Sequence, residues 1–351
     1  MQVKATNRFP YIDALRGFAI ILVVFGHVEH FGFFVFEGFS AIGNFFQAIQ
    51  MPLFFFISGF VVYKALPVNS LKKLGSLLCG KTLQLIIPAL LVGLIYTYAK
   101  SGGDFLSFMA NASKKGYWFT ISLFEMMFIY YLISYVMNKF QKDGLFLLFT
   151  VSMICFVLKL PFKAYPILEE IGNYTSLHYT FNHFQFFAIG LIVRKYWVKF
   201  ETLLNSQTIM TLALLLMSLL FWLQLYIFNN GNLSGNIGKV ISTMVEVAVA
   251  YPTVYVMFFC FNRYYKPTFL KGTLELVGKR TLDIYLIHYF LLPRLPMVGE
   301  FFRTYPNVIL ECLVGFALAL IVVAASLIVS RLIRLSDFCG RYVLGSNIKK
   351  S

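Results

Sequence analysis

Apolar stretches of close to 20 residues recur along the whole chain, and they constrain its fold more than any other feature. Three of them, residues 44–63, 82–99 and 207–228, contain no charged side chain. A helix of about 20 apolar residues crosses the roughly 30 Å hydrocarbon core of a bilayer. The chain is 59% apolar and only 13% charged, whereas a soluble domain is about 25% charged. The sequence therefore predicts a multispan membrane protein and excludes a disordered chain or an ordinary soluble enzyme.

The apolar pattern predicts an all-α integral membrane protein with about ten transmembrane helices. No linker or soluble block of domain size interrupts the series, and we see no internal repeat. One transmembrane domain covering residues 1–351 is the economical interpretation, with polar loops of about 20 residues after the fifth and eighth spans. The predicted spans are residues 11–29, 44–63, 82–99, 116–138, 144–158, 177–193, 207–228, 239–261, 278–295 and 306–330.

The positive charges indicate how these helices are oriented. The chain has 30 Lys and Arg residues against 15 Asp and Glu, a net charge of +15. When the loops are assigned alternately to the two sides, 21 of these cations fall on the side of the N-terminus and 8 on the other, with Arg16 inside the first span. Cytoplasmic loops carry the excess of Lys and Arg. We therefore expect both termini in the cytoplasm and no nucleic-acid partner.

The first span carries ionisable groups that are costly inside a membrane and that are functional by default. Arg16 and His27 are eleven positions apart, so at 100° per residue they lie on one face of a helix, roughly 16 Å apart along its axis. Asp13 lies one turn from Arg16 and could pair with it. The alternative is that Asp13 and Arg16 form a structural clamp while His27 lies in the outer headgroup region.

Further polar groups inside the predicted spans are candidates for the same site. Glu125 falls near the middle of the fourth span, and His288 falls in the outer half of the ninth. Four histidines gather toward the outer side, but none has HxxxH or HExxH spacing, and the five cysteines lack CxxC spacing. We therefore expect no metal site and no bound cofactor. The four histidines are His27, His178, His183 and His288.

Several sequence blocks resemble the acyltransferase family 3 membrane proteins. The stretch 8–27, RFPYIDALRGFAIILVVFGH, is similar to the first helix of that family, whose hallmark is an Arg, ten residues and a His. The blocks MPLFFFISGF at 51–60, YWF at 117–119 with Glu125, and GKRTLDIYLIH at 278–288 resemble its second, fourth and late helices, in order. The resemblance spans the chain and is closest to the stand-alone branch, which lacks a fused esterase-like domain.

This resemblance implies an enzyme that transfers an acyl group, typically acetyl, from cytoplasmic acyl-CoA to a hydroxyl of an extracytoplasmic or lipid-linked carbohydrate. It implies a multi-pass protein of a bacterial plasma membrane whose partners are acyl-CoA, the glycan acceptor and the bilayer. Arg16 and Lys81 would bind the donor phosphates, although many members carry paired arginines before the Pro of the third helix, and here only Lys81 precedes Pro88. The sequence indicates no oligomeric state.

The implied catalytic residues are His27 and Arg16, with Glu125 and His288. His27 would act as a general base or as a transient acyl carrier, and the sequence does not separate the two. Glu125 and His288 could orient it or relay protons, or could equally be satisfied polar pairs. A secondary transporter is the alternative function, and a scaffold without chemistry is a third. If the enzyme interpretation holds, one cavity should contain Arg16 at one end and His27 at the other, with His288 or Glu125 beside His27.

Overall fold

A computed structural model describes residues 9–34, 41–64, 68–230, 235–265 and 269–346. Within those ranges the chain is all-helical, and π-helical turns at Val28–Gly32 and Thr82–Ile86 interrupt two of the long helices. The helices are α1 (Pro10–His27), α2 (Ala41–Val62), α3 (Leu71–Lys81), α4 (Ile87–Ser101), α5 (Phe105–Ala110), α6 (Trp118–Lys139), α7 (Leu145–Ala164), α8 (Pro166–Thr175), α9 (Leu177–Lys195), α10 (Trp197–Leu204), α11 (Gln207–Asn230), α12 (Gly235–Tyr264), α13 (Phe269–Lys279), α14 (Thr281–Leu291), α15 (Pro296–Thr304), α16 (Val308–Ile333) and α17 (Asp337–Tyr342).

Six stretches in the described part of the chain are helical, long enough and apolar enough to cross a membrane. Three shorter apolar helices accompany them, at Ala48–Val62, Leu145–Lys159 and Thr281–Leu291. These nine segments coincide with nine of the ten predicted spans, and α9 coincides with the remaining one. The protein is therefore a multi-pass membrane protein, while the count of ten spans and the orientation of the termini stay predictions. The six long stretches are Pro10–Gly32, Leu71–Lys100, Trp118–Lys139, Gln207–Ile227, Val240–Tyr264 and Val308–Ile333.

Three regions differ from the sequence-based expectation. The third predicted span begins at Thr82, but the helix starts eleven residues earlier, at Leu71. The hydroxyl of the N-cap residue Ser70 accepts a hydrogen bond from Lys73 N–H. The loops expected after the fifth and eighth spans contain α8 and α13. Pro166 occupies the first turn of α8, where its missing N–H removes no hydrogen bond. These helices are short and only partly apolar, so a search for continuous hydrophobicity passes over them.

The helix α1 lies inside the bundle. It packs against α2, α12, α13, α14 and α16, and most of its side chains between Ile12 and Phe25 are buried. Neighbouring helices approach α1 on nearly every side, so few of its side chains are left to contact lipid. This burial places Arg16 and His27 within the protein.

Glycines allow two helix pairs to pack backbone to backbone. Where α1 crosses α13, a Cβ on Gly278 would lie 1.7 Å from the carbonyl oxygen of Asp13. Where α2 crosses α9, a Cβ on Gly190 would lie 2.0 Å from the carbonyl oxygen of Phe56, and one on Gly59 would lie equally close to that of Phe187. Such contacts suit membrane helices, whose association depends on close van der Waals packing. They fix the positions of the helices that form the site.

A buried ion pair joins α14 to the end of α16. Arg334 donates from Nε and Nη2 to the two carboxylate oxygens of Asp283, each at 2.8 Å, and the Ser330 hydroxyl donates to the same carboxylate at 2.5 Å. A bidentate pair of this kind adds directional specificity to the attraction. It holds the first turn of α14 in place, and Thr281 in that turn belongs to the site described next.

Candidate active site

A cavity of about 680 Å³ runs along one face of α1. Five residues of α1 line it, and successive members of the set are three or four positions apart except for the last two, which are adjacent. They are Arg16, Ile20, Val23, Gly26 and His27. Residues at these spacings share one side of a helix. The structure thus brings Arg16 and His27 onto a single cavity, as the eleven-residue spacing predicts. The opposite walls come from α2, α4, α6, α14 and the segments beside them.

His27 forms a hydrogen-bonded pair with His288. The distance from His27 Nδ1 to His288 Nε2 is 2.8 Å, and the two rings are only 5° from parallel, with centroids 5.1 Å apart. The Tyr289 hydroxyl lies 3.2 Å from the other nitrogen, His27 Nε2. His288 is completely buried, so it supports His27 from behind the cavity wall. The expectation that His288 would lie beside His27 agrees with this geometry.

The hydrogen bonds define which nitrogen of each neutral ring carries the proton. His288 Nδ1 lies 2.9 Å from the carbonyl oxygen of Ile284, which can only accept, so His288 Nδ1 is the protonated nitrogen. His288 Nε2 then carries the lone pair, so it accepts a hydrogen bond that His27 Nδ1 donates. The lone pair of His27 is therefore on Nε2, where the Tyr289 hydroxyl donates to it. A backbone carbonyl thus sets a basic nitrogen at the cavity.

The first π-helical turn begins directly after His27. Its residues His30 and Phe31 line the cavity with His27. A π turn holds one more residue per turn than an α-helix, and such turns occur frequently at functional sites. Here the turn widens α1 at the point where the histidine pair meets the cavity.

Basic groups lie at the other end of the cavity. Arg16 donates from Nη2 to the Thr281 hydroxyl at 2.9 Å, and that hydroxyl donates in turn to the Gly278 carbonyl oxygen at 3.3 Å. Lys81 donates from Nζ to Gln84 Oε1 at 2.8 Å, within the second π-helical turn and its preceding residue. Arg16, Lys81, Gln84 and Thr281 all line the cavity. This end is suited to a phosphate, to which Arg donates in a planar fork.

Hydrogen bonds between α14 and the start of α6 fix the wall beside the histidines. The Tyr285 hydroxyl donates to the Gly116 carbonyl oxygen at 2.8 Å and accepts from Phe119 N–H at 3.2 Å, and the Tyr117 hydroxyl donates to the Leu286 carbonyl oxygen at 3.1 Å. Gly116 has a φ of 103°, which only glycine adopts without strain. A Cβ there would also lie 2.1 Å from the Tyr289 hydroxyl oxygen.

A buried lysine stabilises the loop that precedes Gly116. Lys114 is fully buried and donates from Nζ to the carbonyl oxygens of Met109 at 2.8 Å and Asn111 at 3.0 Å, and also to that of Asn173. Burial lowers the pKa of Lys114 to about 8, and the carboxylate of Glu125 opposes this change. The lysine ties the loop to α8, and the next residue, Lys115, lines the cavity.

Glu125 lies away from the histidine pair. The Thr180 hydroxyl donates to Glu125 Oε2, and Glu125 is not among the residues that line the cavity. This contact joins α6 to α9, which favours a positioning role, and its predicted part in the reaction stays a prediction. His183 is likewise outside the lining, with Nδ1 2.8 Å from the Tyr179 carbonyl oxygen. In the part of the chain that the structure describes, no three metal-binding side chains come together.

Comparison with known proteins identifies the family. A family model for an acyltransferase domain, that of acyltransferase family 3, matches residues 9–334. The chain belongs to this acyltransferase family. Searches of curated proteins and of solved structures found no match.

The sequence blocks that resemble the family meet at the cavity of this acyltransferase. Arg16 and His27 come from the first block, and the other blocks contribute lining residues that include Ser58, Trp118 and Tyr285. The first block ends at residue 27 and the last begins at residue 278, yet all of the blocks surround one cavity. Within the family, the cavity is therefore the candidate active site.

Three polar residues of the site carry no signal that sequence analysis used. Gln50 and Gln84 are uncharged and sit in apolar stretches, and Tyr289 is one of 21 tyrosines. Each becomes notable only because the fold places it on the cavity wall. The only local hint is that Gln50 and Tyr289 are direct neighbours of residues in the recognised blocks.

Proposed function

We propose that this acyltransferase moves an acetyl group from cytoplasmic acetyl-CoA to a hydroxyl of a carbohydrate at the outer side of the plasma membrane. The observation that carries the proposal is a single cavity with basic groups at one end and an oriented, basic histidine nitrogen at the other. Its volume of about 680 Å³ is in the usual range for a small-molecule site, roughly 300–1,000 Å³.

The basic end suits the donor. Arg16 and Lys81 would hold phosphate oxygens of acetyl-CoA, with Thr281 and Gln84 keeping the two cations in position. The extended pantetheine arm would then run along the α1 face formed by Ile20 and Val23. This arrangement carries the thioester toward His27, about 16 Å further along the helix.

The histidine end suits the transfer step. An acceptor hydroxyl would displace the Tyr289 hydroxyl from His27 Nε2. His27 Nε2 would then remove the proton of the acceptor hydroxyl, whose oxygen attacks the thioester carbonyl carbon. The carbon–sulfur bond then breaks, and the sulfur takes the proton from His27 Nε2, which releases CoA as the thiol. His288 Nε2, which accepts the proton of His27 Nδ1 in a hydrogen bond, would stabilise the positive charge that His27 carries between the two proton transfers. General bases of this kind contribute about 10²–10⁴-fold to a rate.

We favour the general-base role because the hydrogen-bond chain leaves the lone pair of His27 on the nitrogen that faces the Tyr289 hydroxyl. An acyl-carrier role would instead produce an acetylated enzyme in the absence of acceptor. Intact-mass analysis of purified protein incubated with acetyl-CoA alone separates the two. We expect no added acetyl group, and an acetyl group on His27 would replace the general-base mechanism by the carrier mechanism.

The test of the proposed function uses Arg16→Ala and His27→Ala in living cells. We expect each substitution to abolish acetylation of surface glycans, measured by mass spectrometry of glycans from cells with the variant and with the parent protein. Arg331→Ala, which removes an exposed cation at the end of α16, is the matched control and should leave acetylation unchanged. Normal glycan acetylation in either site variant, at parental protein level, would exclude the proposal.

A further inference from the structure

One polar group on the cavity wall takes no part in the chemistry above. Gln50, in α2 directly before Met51, is only 7% exposed, yet it lines the cavity. Its Oε1 is buried and has no hydrogen-bond partner among the residues that the structure describes. An amide oxygen in this state lacks the donor that buried acceptors in proteins nearly always have.

Gln50 lies beside the backbone that leads into His27. A Cβ built on Gly26, the residue before His27, would be 3.5 Å from Gln50 Oε1 and 3.7 Å from Nε2. The amide therefore packs against α1 one residue from the general base. Both Gly26 and Gln50 line the cavity together with His27, so a molecule bound at His27 occupies the same cavity as the Gln50 side chain.

The unpaired oxygen points to a ligand that brings a hydrogen-bond donor. Leaving the buried Gln50 Oε1 unpaired is unfavourable. A Leu or Met side chain of similar size would fill the same volume without that cost. The thioester and acetyl carbons of the donor carry no N–H or O–H group, and the nearest amide N–H of the pantetheine arm is two carbons beyond the sulfur. A carbohydrate, in contrast, has further hydroxyls next to the one that reacts. Three aromatic side chains that line the same cavity, Phe31, Tyr96 and Trp118, offer flat apolar faces to a sugar ring.

We propose that Gln50 Oε1 accepts a hydrogen bond from a second hydroxyl of the carbohydrate, adjacent to the one that His27 deprotonates. This inference rests on the proposed function and adds to it a residue that selects the acceptor and the position of acylation. With one hydroxyl held by Gln50 and its neighbour presented to His27 Nε2, the sugar has one orientation for transfer. Gln50 is thus a specificity-determining residue, not a proton carrier.

The experiment compares Gln50→Leu with Gln50→Glu, which keeps an acceptor oxygen at the same position. The matched control is Gln224→Leu, because the Gln224 Oε1 in α11 is also buried without a hydrogen-bond partner among the described residues but does not line the cavity. Each variant is expressed in cells, and the acetyl groups on surface glycan are quantified and located by mass spectrometry and NMR. Binding of acetyl-CoA to the purified variants is measured separately.

We expect Gln50→Leu to lower glycan acetylation about tenfold or to move the acetyl group to another hydroxyl, with acetyl-CoA affinity changed less than twofold. Gln50→Glu should keep the parental position, and Gln224→Leu should behave as the parent. Parental extent and position in Gln50→Leu would overturn the proposal, as would an equal loss of acetyl-CoA affinity, which would assign Gln50 to the donor. If Gln50→Leu is not inserted normally, the unbranched Gln50→Met provides the same comparison.

Failure of this inference is distinguishable from failure of the proposed function. The inference fails when Gln50→Leu acetylates as the parent while His27→Ala still abolishes acetylation. The proposed function fails when His27→Ala retains acetylation, whatever Gln50 does.

Discussion

At the scale of single residues, the hydrogen bond from His288 Nδ1 to the Ile284 carbonyl oxygen determines which nitrogen of His27 carries the proton. A lone histidine in a cavity can carry its proton on either nitrogen, and only one of these forms presents a base to the substrate. Here a main-chain oxygen, which cannot donate, sets the proton on His288 Nδ1 and hence the proton on His27 Nδ1. His288 is a positioning residue in this arrangement.

We predict that His288→Ala lowers the turnover rate by about 10²-fold and leaves acetyl-CoA affinity within twofold of the parent, because the basic end of the cavity is untouched. His288→Gln should restore part of the rate, since an amide oxygen can accept the proton of His27 Nδ1. The measurements are acetyl-transfer rates at saturating donor and binding of acetyl-CoA. A structural role alone would be indicated by equal losses in both variants together with reduced thermal stability.

At the scale of helices, the close crossing of α2 and α9 has little tolerance for added volume. A Cβ on Gly190 meets backbone atoms of α2, namely the Phe56 carbonyl oxygen at 2.0 Å and the Phe60 nitrogen at 2.8 Å. Backbone atoms cannot rotate away as a side chain can, so the two helices must separate. Met51 to Val62 of α2 supply several residues of the cavity wall, and a shift of α2 would reach the site.

We predict that Gly190→Ala destabilises the protein by about 1–3 kcal/mol, the usual cost of overpacking, and lowers acetyl transfer. Gly80→Ala in α3 is the control, because a Cβ there has no atom within 4 Å, and alanine favours a helix by about 1 kcal/mol over glycine. Thermal unfolding in detergent measures both. Equal melting temperatures for Gly190→Ala and the parent would show that the helix crossing relaxes without cost.

The elements that sequence analysis predicts well are those with a one-dimensional signal. The apolar pattern predicts the first span at residues 11–29, and the structure has helix over Pro10–His27 and a π turn after it. The sequence does not predict the turn itself, because residues 28–32 are equally compatible with an ordinary helix. Sequence analysis places the helix α13 largely in a loop, because α13 contains only eleven residues and three of them are charged. The surface of α1 that it packs against lies about 260 residues away in the sequence.

At the scale of the whole molecule, the charges of the loops predict how the helix bundle is oriented in the membrane. The 21-to-8 distribution of Lys and Arg predicts that both termini are in the cytoplasm. We predict that cysteines introduced at residues 2 and 350 are protected from an impermeant thiol reagent in intact cells and react after permeabilisation. Labelling of either cysteine from outside would overturn the orientation and move the basic end of the cavity to the outer side.

The whole site could be anticipated only in part, for a reason that applies to any fold of this kind. The Arg16 and His27 spacing is local, so helix geometry alone puts both on one face. The contact between His27 and His288 joins residues 261 positions apart, and no periodicity in one segment reports on its partner in another. Family resemblance leaves His288 and Glu125 as the two candidates for the side chain beside His27. Only the packing of α1 against α14 shows that His288 is the one in contact.

The two π turns make the site sensitive to the loss of a single residue, as well as to substitutions. Each contains one residue more than a regular helix needs at that point, so a single-codon deletion in either would yield an unbroken α-helix. The helical segments on either side would keep nearly the same mutual orientation, because the π turn absorbs the extra residue locally. The change would fall on the residues of the turn itself, which include the cavity-lining residues His30 and Phe31 in the first turn and Gln84 in the second. In this protein a lost codon that improves helical regularity would therefore change the lining of the candidate active site while leaving the rest of the fold in register.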